Sequence, residues 1–299
     1  MAEVIRIKDL SVCFGDFKAV DQLNISIESG QIFGFLGPNG SGKSTTVRVL
    51  CGILPPSFGE CYILGKNIVT DKRDIRQNIG YMSQKFSLYQ DLTILENLAF
   101  YAGIYGITKS DYYERIEQML KLADLQKEKD VLAGSLSTGI RQRLALSCAV
   151  IHEPKILFLD EPTSGVDPKG RRLFWEIIYR LAEKGTTILI TTHFMDEAEH
   201  CDSVGFINQG KLVACDSPQQ LKNSIEGVLV NIPSADSIQL FNLLRELEIP
   251  LTDIYICGNS VRLRLVEHNL PLLANLDYEI INPTMEDVFI YYVKKQGKG

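Results

Sequence analysis

Gly37-Pro38-Asn39-Gly40-Ser41-Gly42-Lys43-Ser44-Thr45 is the stretch whose reading decides the fold. It satisfies G-x-x-x-x-G-K-[ST] at every fixed position. Its flanks agree with it: Gln31-Ile32-Phe33-Gly34-Phe35-Leu36 reads as a buried strand before it, and Thr45 to Cys51 as a helix after it. A strand that feeds a glycine-rich loop and then a helix start aims several backbone N–H groups at one point, and the helix dipole reinforces the field there. Gly37, Gly40 and Gly42 can supply backbone angles that residues with a Cβ resist. In that frame the Lys43 ammonium would meet the β/γ-phosphates of a nucleotide, and the Ser44 hydroxyl would hold Mg²⁺. The alternative is a glycine-rich turn that merely joins strand to helix.

Further apolar runs end in residues suited to the same chemistry. Ile156-Leu157-Phe158-Leu159-Asp160-Glu161 reads as a buried strand with two carboxylates at its tip. Asp160 stands where a P-loop enzyme holds Mg²⁺, commonly through water, and Glu161 could polarise the water that attacks the γ-phosphate. Thr187 to His193 is another buried strand, and a His at its tip could hydrogen-bond the γ-phosphate and orient Glu161. A rival reading makes a metal site from His193, Glu197 and His200. Ile79 to Gln84 reads as a strand whose final Gln84 reaches a metal-bound water or a phosphate, or is simply a solvated strand end. Leu136 to Leu144 begins a helix with Ser137 as N-cap; with Gly139 nearby, its start is a second potential phosphate-binding end. Phe14, before the turn at Gly15, either stacks on a purine face or packs in the core, and the core is the expectation from sequence.

The 299 residues are 45% hydrophobic and 23% charged, an ordinary globular composition that suggests one large or two modest domains. A net charge of −6 gives no overall basic footprint, so no nucleic-acid partner is expected. The first residues lack the apolar core of a signal peptide, and no run of about eighteen apolar residues occurs. The seven cysteines are scattered, without a C-x-x-C pair, and read as small core residues in a reducing compartment. A cytosolic, soluble protein is the expectation. From Lys85 to Tyr105 the chain is rich in aromatics (Phe86, Tyr89, Phe100, Tyr101, Tyr105). A helix follows at about Ser110 to Leu125, with Ile116, Met119, Leu120 and Ala123 on one stripe. This block reads as a helical insertion in a sheet protein.

In this order the motifs resemble those of the nucleotide-binding subunit of an ATP-binding cassette (ABC) transporter, over about residues 4 to 225. Gly37 to Thr45 is similar to the Walker A motif, Gln84 to the Q-loop, and Leu136 to Gln142 to the signature motif. Asp160 and Glu161 match Walker B and the catalytic glutamate, Ser164-Gly165-Val166-Asp167 the D-loop, and His193 the switch histidine. Phe14 takes the place of the adenine-stacking aromatic. The resemblance implies an α/β fold: a P-loop NTPase core with an antiparallel β subdomain and a helical insertion at about 86–150, together forming a cassette over 1–225. It also implies ATP and Mg²⁺ as ligands, a homodimer or pseudo-dimer in which Lys43 of one copy and Ser137 of the other enclose each ATP, and a transmembrane permease subunit as partner. The chain would then sit in the cytoplasm, peripheral on the inner face of the cell membrane. Two positions depart from the family pattern: Thr138 replaces the first Gly of the signature, and Gly165 stands where Ala is usual. Met82 to Tyr89, Thr192 to Glu199, and Pro283 to Phe289 look like the export branch. Non-transport ABC ATPases of DNA repair and translation are an alternative, but those carry long coiled coils or a second cassette, and this sequence shows neither. A binding module with a weakened site is another, which Thr138 raises.

Residues 226–299 read as a separate small α+β domain. Val228 to Ile232 is a strand, Ala235 to Leu247 a helix, Ile254 to Cys257 and Val261 to Leu265 a hairpin, Leu270 to Leu276 a helix and Tyr278 to Ile281 a strand. The order β-α-β-β-α-β suggests a small ferredoxin-like unit, closed by a helix from about Met285 to Lys294.

Overall fold

A computed structural model describes residues 2–85, 88–246 and 251–296, and of Lys109, Leu251 and Thr252 only the backbone. Phe86 and Leu247, both named above, lie outside the described residues. The chain divides into two compact units, Met1–Ser217 and Pro218–Gly299, so the division falls at 217–218 rather than at 225–226.

The first unit holds two sheets. The long strands β1 (Glu3–Phe14) and β2 (Phe17–Glu28) form a hairpin, and β4 (Phe58–Ile63) and β5 (Lys66–Asn67) extend it to an antiparallel sheet of order β2-β1-β4-β5. The second sheet has the order β10-β9-β3-β8-β7-β6, built from β3 (Ile32–Leu36), β6 (Ile79–Met82), β7 (Ile156–Asp160), β8 (Thr187–Thr192), β9 (Ser203–Asn208) and β10 (Lys211–Asp216). Its pairings are parallel from β9 to β6, with β10 antiparallel at one edge. Strands buried on both faces explain the continuous apolar runs of β3, β7 and β8. Because these strands are parallel, their carboxyl ends lie along one edge. That edge is where open α/β sheets bind ligands.

Helix α1 (Lys43–Leu50) follows β3 and buries Val47, Val49 and Leu50 in a core shared by both sheets, which includes Ile5, Leu23, Phe33, Phe35 and Phe158. After α2 (Lys72–Arg76) and β6, the chain leaves the sheet for α3 (Ile94–Ile104), α4 (Lys109–Leu122) and α5 (Thr138–Val150), then returns as β7 beside β6. Thr93 and Glu96 start α3 with a reciprocal capping box. The stripe expected on α4 is present: Ile116, Met119, Leu120 and Ala123 are buried. Helix α6 (Pro168–Glu183) starts with Asp167 accepting from Gly170 N at 3.0 Å and with proline in its first turn.

In the second unit, α7 (Pro218–Asn223) leads to a four-stranded antiparallel sheet of order β12-β13-β11-β14, made of β11 (Val228–Pro233), β12 (Leu251–Cys257), β13 (Ser260–Leu265) and β14 (Glu279–Ile281). With α8 (Ser237–Glu246) between β11 and β12, this is the interleaving of a split βαβ unit. The segment expected as a helix at 270–276 is instead a 3₁₀ turn at Glu267–Leu273, because Pro271 lacks the N–H a longer helix would need. The last helix, α9 (Met285–Gln296), meets the sheet through Asp287, which Arg262 approaches to 3.2 Å, and through Tyr291, whose ring lies 4.3 Å from the Arg264 guanidinium. No helix among the described residues is long and apolar enough to cross a membrane.

Candidate functional site

The loop between β3 and α1 is held too closely for side chains at its glycines. A Cβ on Gly37 would come 2.1 Å from the Ile207 carbonyl oxygen, and one on Gly42 would come 2.5 Å from that of Ala19, at a φ of 109°. Gly37 N donates to Thr192 O at 3.3 Å, which ties the loop to the end of β8. Gly42 caps α1 without any side-chain acceptor, so the first turn keeps its N–H groups for a ligand.

Lys43 is buried at the first turn of α1. Its Nζ donates to Gly37 O at 2.7 Å and Pro38 O at 3.0 Å, and lies 3.6 Å from Glu161 Oε1. Burial pushes its pKa below the ordinary lysine value, while the charge of Glu161 and, behind it, Asp160 act in the opposite sense. Ser44 Oγ donates to Asp160 Oδ1 at 2.8 Å. Asp160 is 1% exposed and Ser44 partly exposed, so the hydroxyl and carboxylate form a pair of hard oxygen donors at the cavity's edge, a set that fits Mg²⁺.

Three side chains converge on Glu161. Lys43 approaches Oε1, Gln84 Nε2 donates to Oε2 at 3.2 Å, and His193 Nδ1 lies 3.2 Å from Oε2. They come from different strand ends: Gln84 after β6, Glu161 after β7, His193 after β8. Glu161 has a left-handed backbone, φ 48°, uncommon for a residue with a Cβ and a recurrent feature of functional positions. Thr191 holds it there. The Thr191 hydroxyl donates to Asp160 Oδ1 at 2.7 Å and accepts from Glu161 N at 3.0 Å. Sequence reasoning passed over Thr191 because one polar residue in an apolar strand carries no signal until the neighbouring strand is known.

A cavity of about 360 Å³ lies over the loop, lined by Phe14, Phe17, Ala19, Asn39, Gly40, Gly42, Lys43, Ser44, Thr45, Gln84 and Glu161. The expectation that Phe14 packs in the core is corrected here: Phe14 is 53% exposed and Phe17 63% exposed, one on each side of the β1–β2 turn. Their side chains fall outside the packed sheet because the hairpin ends there. The motif Val12 to Gly15 pointed to Phe14, but nothing in the sequence singled out Phe17.

The rival metal site dissolves. His200 stacks on Trp175 and pairs with Tyr179 OH at 2.6 Å, Glu197 accepts from Thr163 at 2.6 Å, and no metal-ligating cluster of His, Cys, Asp and Glu exists among the described residues.

Ser137 and Gly139 do not line the cavity. Ser137 is exposed at the N-cap of α5, and its hydroxyl makes no capping bond. Behind it the buried Gln142 Nε2 donates to Ser164 O at 3.0 Å, which ties α5 to the Ser164–Asp167 loop. The two departures from the family pattern meet there: a Cβ on Gly165 would lie 4.0 Å from the Thr138 methyl, an ordinary contact. The positive φ of 73° at Gly165, and not crowding by Thr138, is what favours glycine.

Residues 20–164 match the ABC transporter family. A probable multidrug ABC transporter ATP-binding protein of Escherichia coli (strain K12) is 49% identical over 219 residues, covering 73% of this chain; the match spans 38% of that relative's length. Nod factor export ATP-binding protein I of Cupriavidus metallidurans is 34% identical over 297 residues, covering 97% of each chain. Among solved structures, cbiO1 of Clostridium perfringens, part of the ABC transporter complex cbiONQ, superposes with a TM-score of 0.69 at 27% identity, over 75% of this chain and 92% of that one. A dimeric cassette in a post-hydrolysis state bound to ADP and Pi gives a TM-score of 0.66 at 26% identity, over 71% of this chain and 98% of that one. The chain therefore belongs to the ABC transporter family.

Proposed function

We propose that this chain is the ATP-hydrolysing subunit of an ABC export system, working as a homodimer or pseudo-dimer beneath a separate transmembrane permease, on the cytoplasmic face of the membrane. The observation that carries the ATPase reading is the convergence of Lys43, Gln84 and His193 on Glu161 beside the glycine loop. In this reading the loop from Gly37 to Thr45 grips the phosphates, with Lys43 on the β/γ oxygens and Phe14 against the adenine. Ser44 and Asp160, with Gln84, would hold Mg²⁺, which would supply positive charge to offset the negative charge that develops on the phosphate. Glu161 takes the proton of the attacking water, and His193 orients Glu161 and hydrogen-bonds the γ-phosphate.

Ser137 and Gly139 contribute to the site of a second copy. Their exposed helix tip, open first turn and separation from the cavity support that assignment. A nucleotide that touches two copies binds the closed pair better than the open one and shifts that equilibrium. Saturation at about 100 times Kd contributes at most roughly 2.7 kcal/mol per site. Two sites give at most roughly 5.4 kcal/mol, against the roughly 5.5 needed to move a population from 1:99 to 99:1. Loss of the bridging phosphate reopens the pair. The relatives' names, multidrug transport and Nod factor export, support export as the direction. The segment around Tyr89, Phe100 and Ile104, exposed on and beside α3, is the proposed contact for the permease. Co-purification of the chain with a membrane protein, followed by ATPase assay with and without it, tests the assignment. Stimulated hydrolysis is expected; a chain that hydrolyses ATP but binds no membrane protein would point to a non-transport ABC ATPase.

A further inference from the structure

A buried acid joins the loop that carries His193 to the loop that follows Glu161. Glu197, 1% exposed, accepts from Thr163 Oγ1 at 2.6 Å, and Thr163 is buried too. Arg171 Nε on α6 lies 3.8 Å from the same Glu197 oxygen, and Arg171 Nη1 lies 3.4 Å from Asp196. The Arg171 guanidinium sits 4.3 Å over the ring of Phe194, the neighbour of His193 in the chain. Glu197 N donates to Phe194 O at 3.2 Å, which closes the turn. On the other side, Ser164 N donates to Glu161 O at 3.3 Å, and Ser164 O accepts from Gln142 of α5. One carboxylate thus lies between the two loops whose side chains meet at 3.2 Å, His193 Nδ1 and Glu161 Oε2.

Filling this space with an acid is costly. A buried carboxylate is destabilising unless it is paired, and Glu197 Oε2 has no hydrogen-bond partner among the described residues. An apolar side chain of similar size would fill the same volume without that cost. What the carboxylate adds is direction: it accepts from Thr163 on one side and draws the Arg171 guanidinium, with Phe194 beneath it, by charge on the other.

We infer that Glu197 is a positioning residue for ATP hydrolysis, holding the His193 loop in register with the Glu161–Val166 loop through Thr163 and Arg171. The inference rests on the ATPase reading above. Glu197 does not line the cavity over the glycine loop; its effect passes through the placement of His193 against Glu161. A displacement of about an ångström at reacting groups costs on the order of 100-fold in rate.

Three variants test it: Thr163→Val, Glu197→Gln, and the double variant Thr163→Val/Glu197→Leu. The single Thr163→Val leaves the buried Glu197 carboxylate without its hydrogen-bond donor and is expected to lower Tm, whereas the double variant replaces both hydrogen-bond partners by apolar groups and restores Tm toward wild type. In the double variant, kcat for ATP is expected to stay about 10- to 100-fold down with KM within about twofold. Glu197→Gln keeps an acceptor for Thr163 and is expected to recover most of kcat. Amide hydrogen exchange at residues 192–195, followed without nucleotide, is expected to stay accelerated in the double variant. A double variant that regains kcat together with Tm, or one whose exchange at 192–195 matches wild type, overturns the inference. If the wild-type chain itself shows no ATPase, the proposed function fails, and the exchange result alone decides whether Glu197 orders this loop.

Discussion

Two helix starts in this molecule carry the same kind of chemistry and are finished to different degrees. The start of α1 has Gly42 at its cap, a buried lysine in its first turn, a metal-type oxygen pair beside it and a cavity over it. The start of α5 has Ser137 at its cap, open solvent outside it and only structural ties behind it. Both present unpaired N–H groups and a positive dipole end, yet only the first is surrounded by groups of its own chain that can hold and cleave a phosphate. The difference teaches that an anion site at a helix tip needs neighbours to become a reaction centre. The tip that lacks them here is the one suited to finish another copy's site.

The contrast yields graded expectations. Glu161→Gln should have the largest effect, a roughly 10²- to 10⁴-fold loss of turnover with ATP binding kept, as expected on removing a general base. Steady-state hydrolysis beside equilibrium nucleotide titration checks it; wild-type turnover would take Glu161 out of that role. Lys43→Ala should act on affinity instead. Losing charge-assisted contacts of about 1.5–3 kcal/mol weakens ATP binding roughly 10- to 150-fold, and unchanged binding would count against the α1 site as a whole. Ser137→Ala sharpens the comparison most. It should leave the ATP affinity of the dilute, monomeric chain within about twofold, while ATP-driven association weakens roughly 5- to 150-fold, the worth of one hydrogen bond at each of the two sites, about 1–3 kcal/mol together. A matching loss of monomer affinity would place Ser137 in its own chain's site. Phe14→Ala should have the smallest effect, a few-fold to roughly tenfold loss of adenine nucleotide affinity, worth about 0.5–1.5 kcal/mol. Because Phe17 lines the same cavity, Phe17→Ala shows which ring stacks.

What could be read from the sequence was what is local. The glycine loop is nine consecutive residues, and the strands feeding it and the carboxylate pair are continuous apolar runs, so their tips were legible one by one. That β3, β6, β7 and β8 are parallel and adjacent turned those tips into one site, and no periodicity encodes it. Thr191 spans two strands to hold Asp160 and Glu161, and Thr163 meets Glu197 across 34 positions. Such pairs join residues that look unremarkable separately. The left-handed backbone at Glu161 was equally hidden, because nothing in the identity of a glutamate announces a positive φ. In the second unit the element order gave a ferredoxin-like expectation, and Pro271 shortened one helix to a 3₁₀ turn.

The central claim is that ATP is enclosed by α1 of one copy and α5 of another. Light scattering of the Glu161→Gln variant, with saturating ATP and Mg²⁺, tests it most directly. The account predicts that the 33.6 kDa mass doubles with ATP, and that adding Ser137→Ala moves the doubling to a roughly 5- to 150-fold higher protein concentration. Full occupancy by ATP with the mass remaining at 33.6 kDa would contradict it.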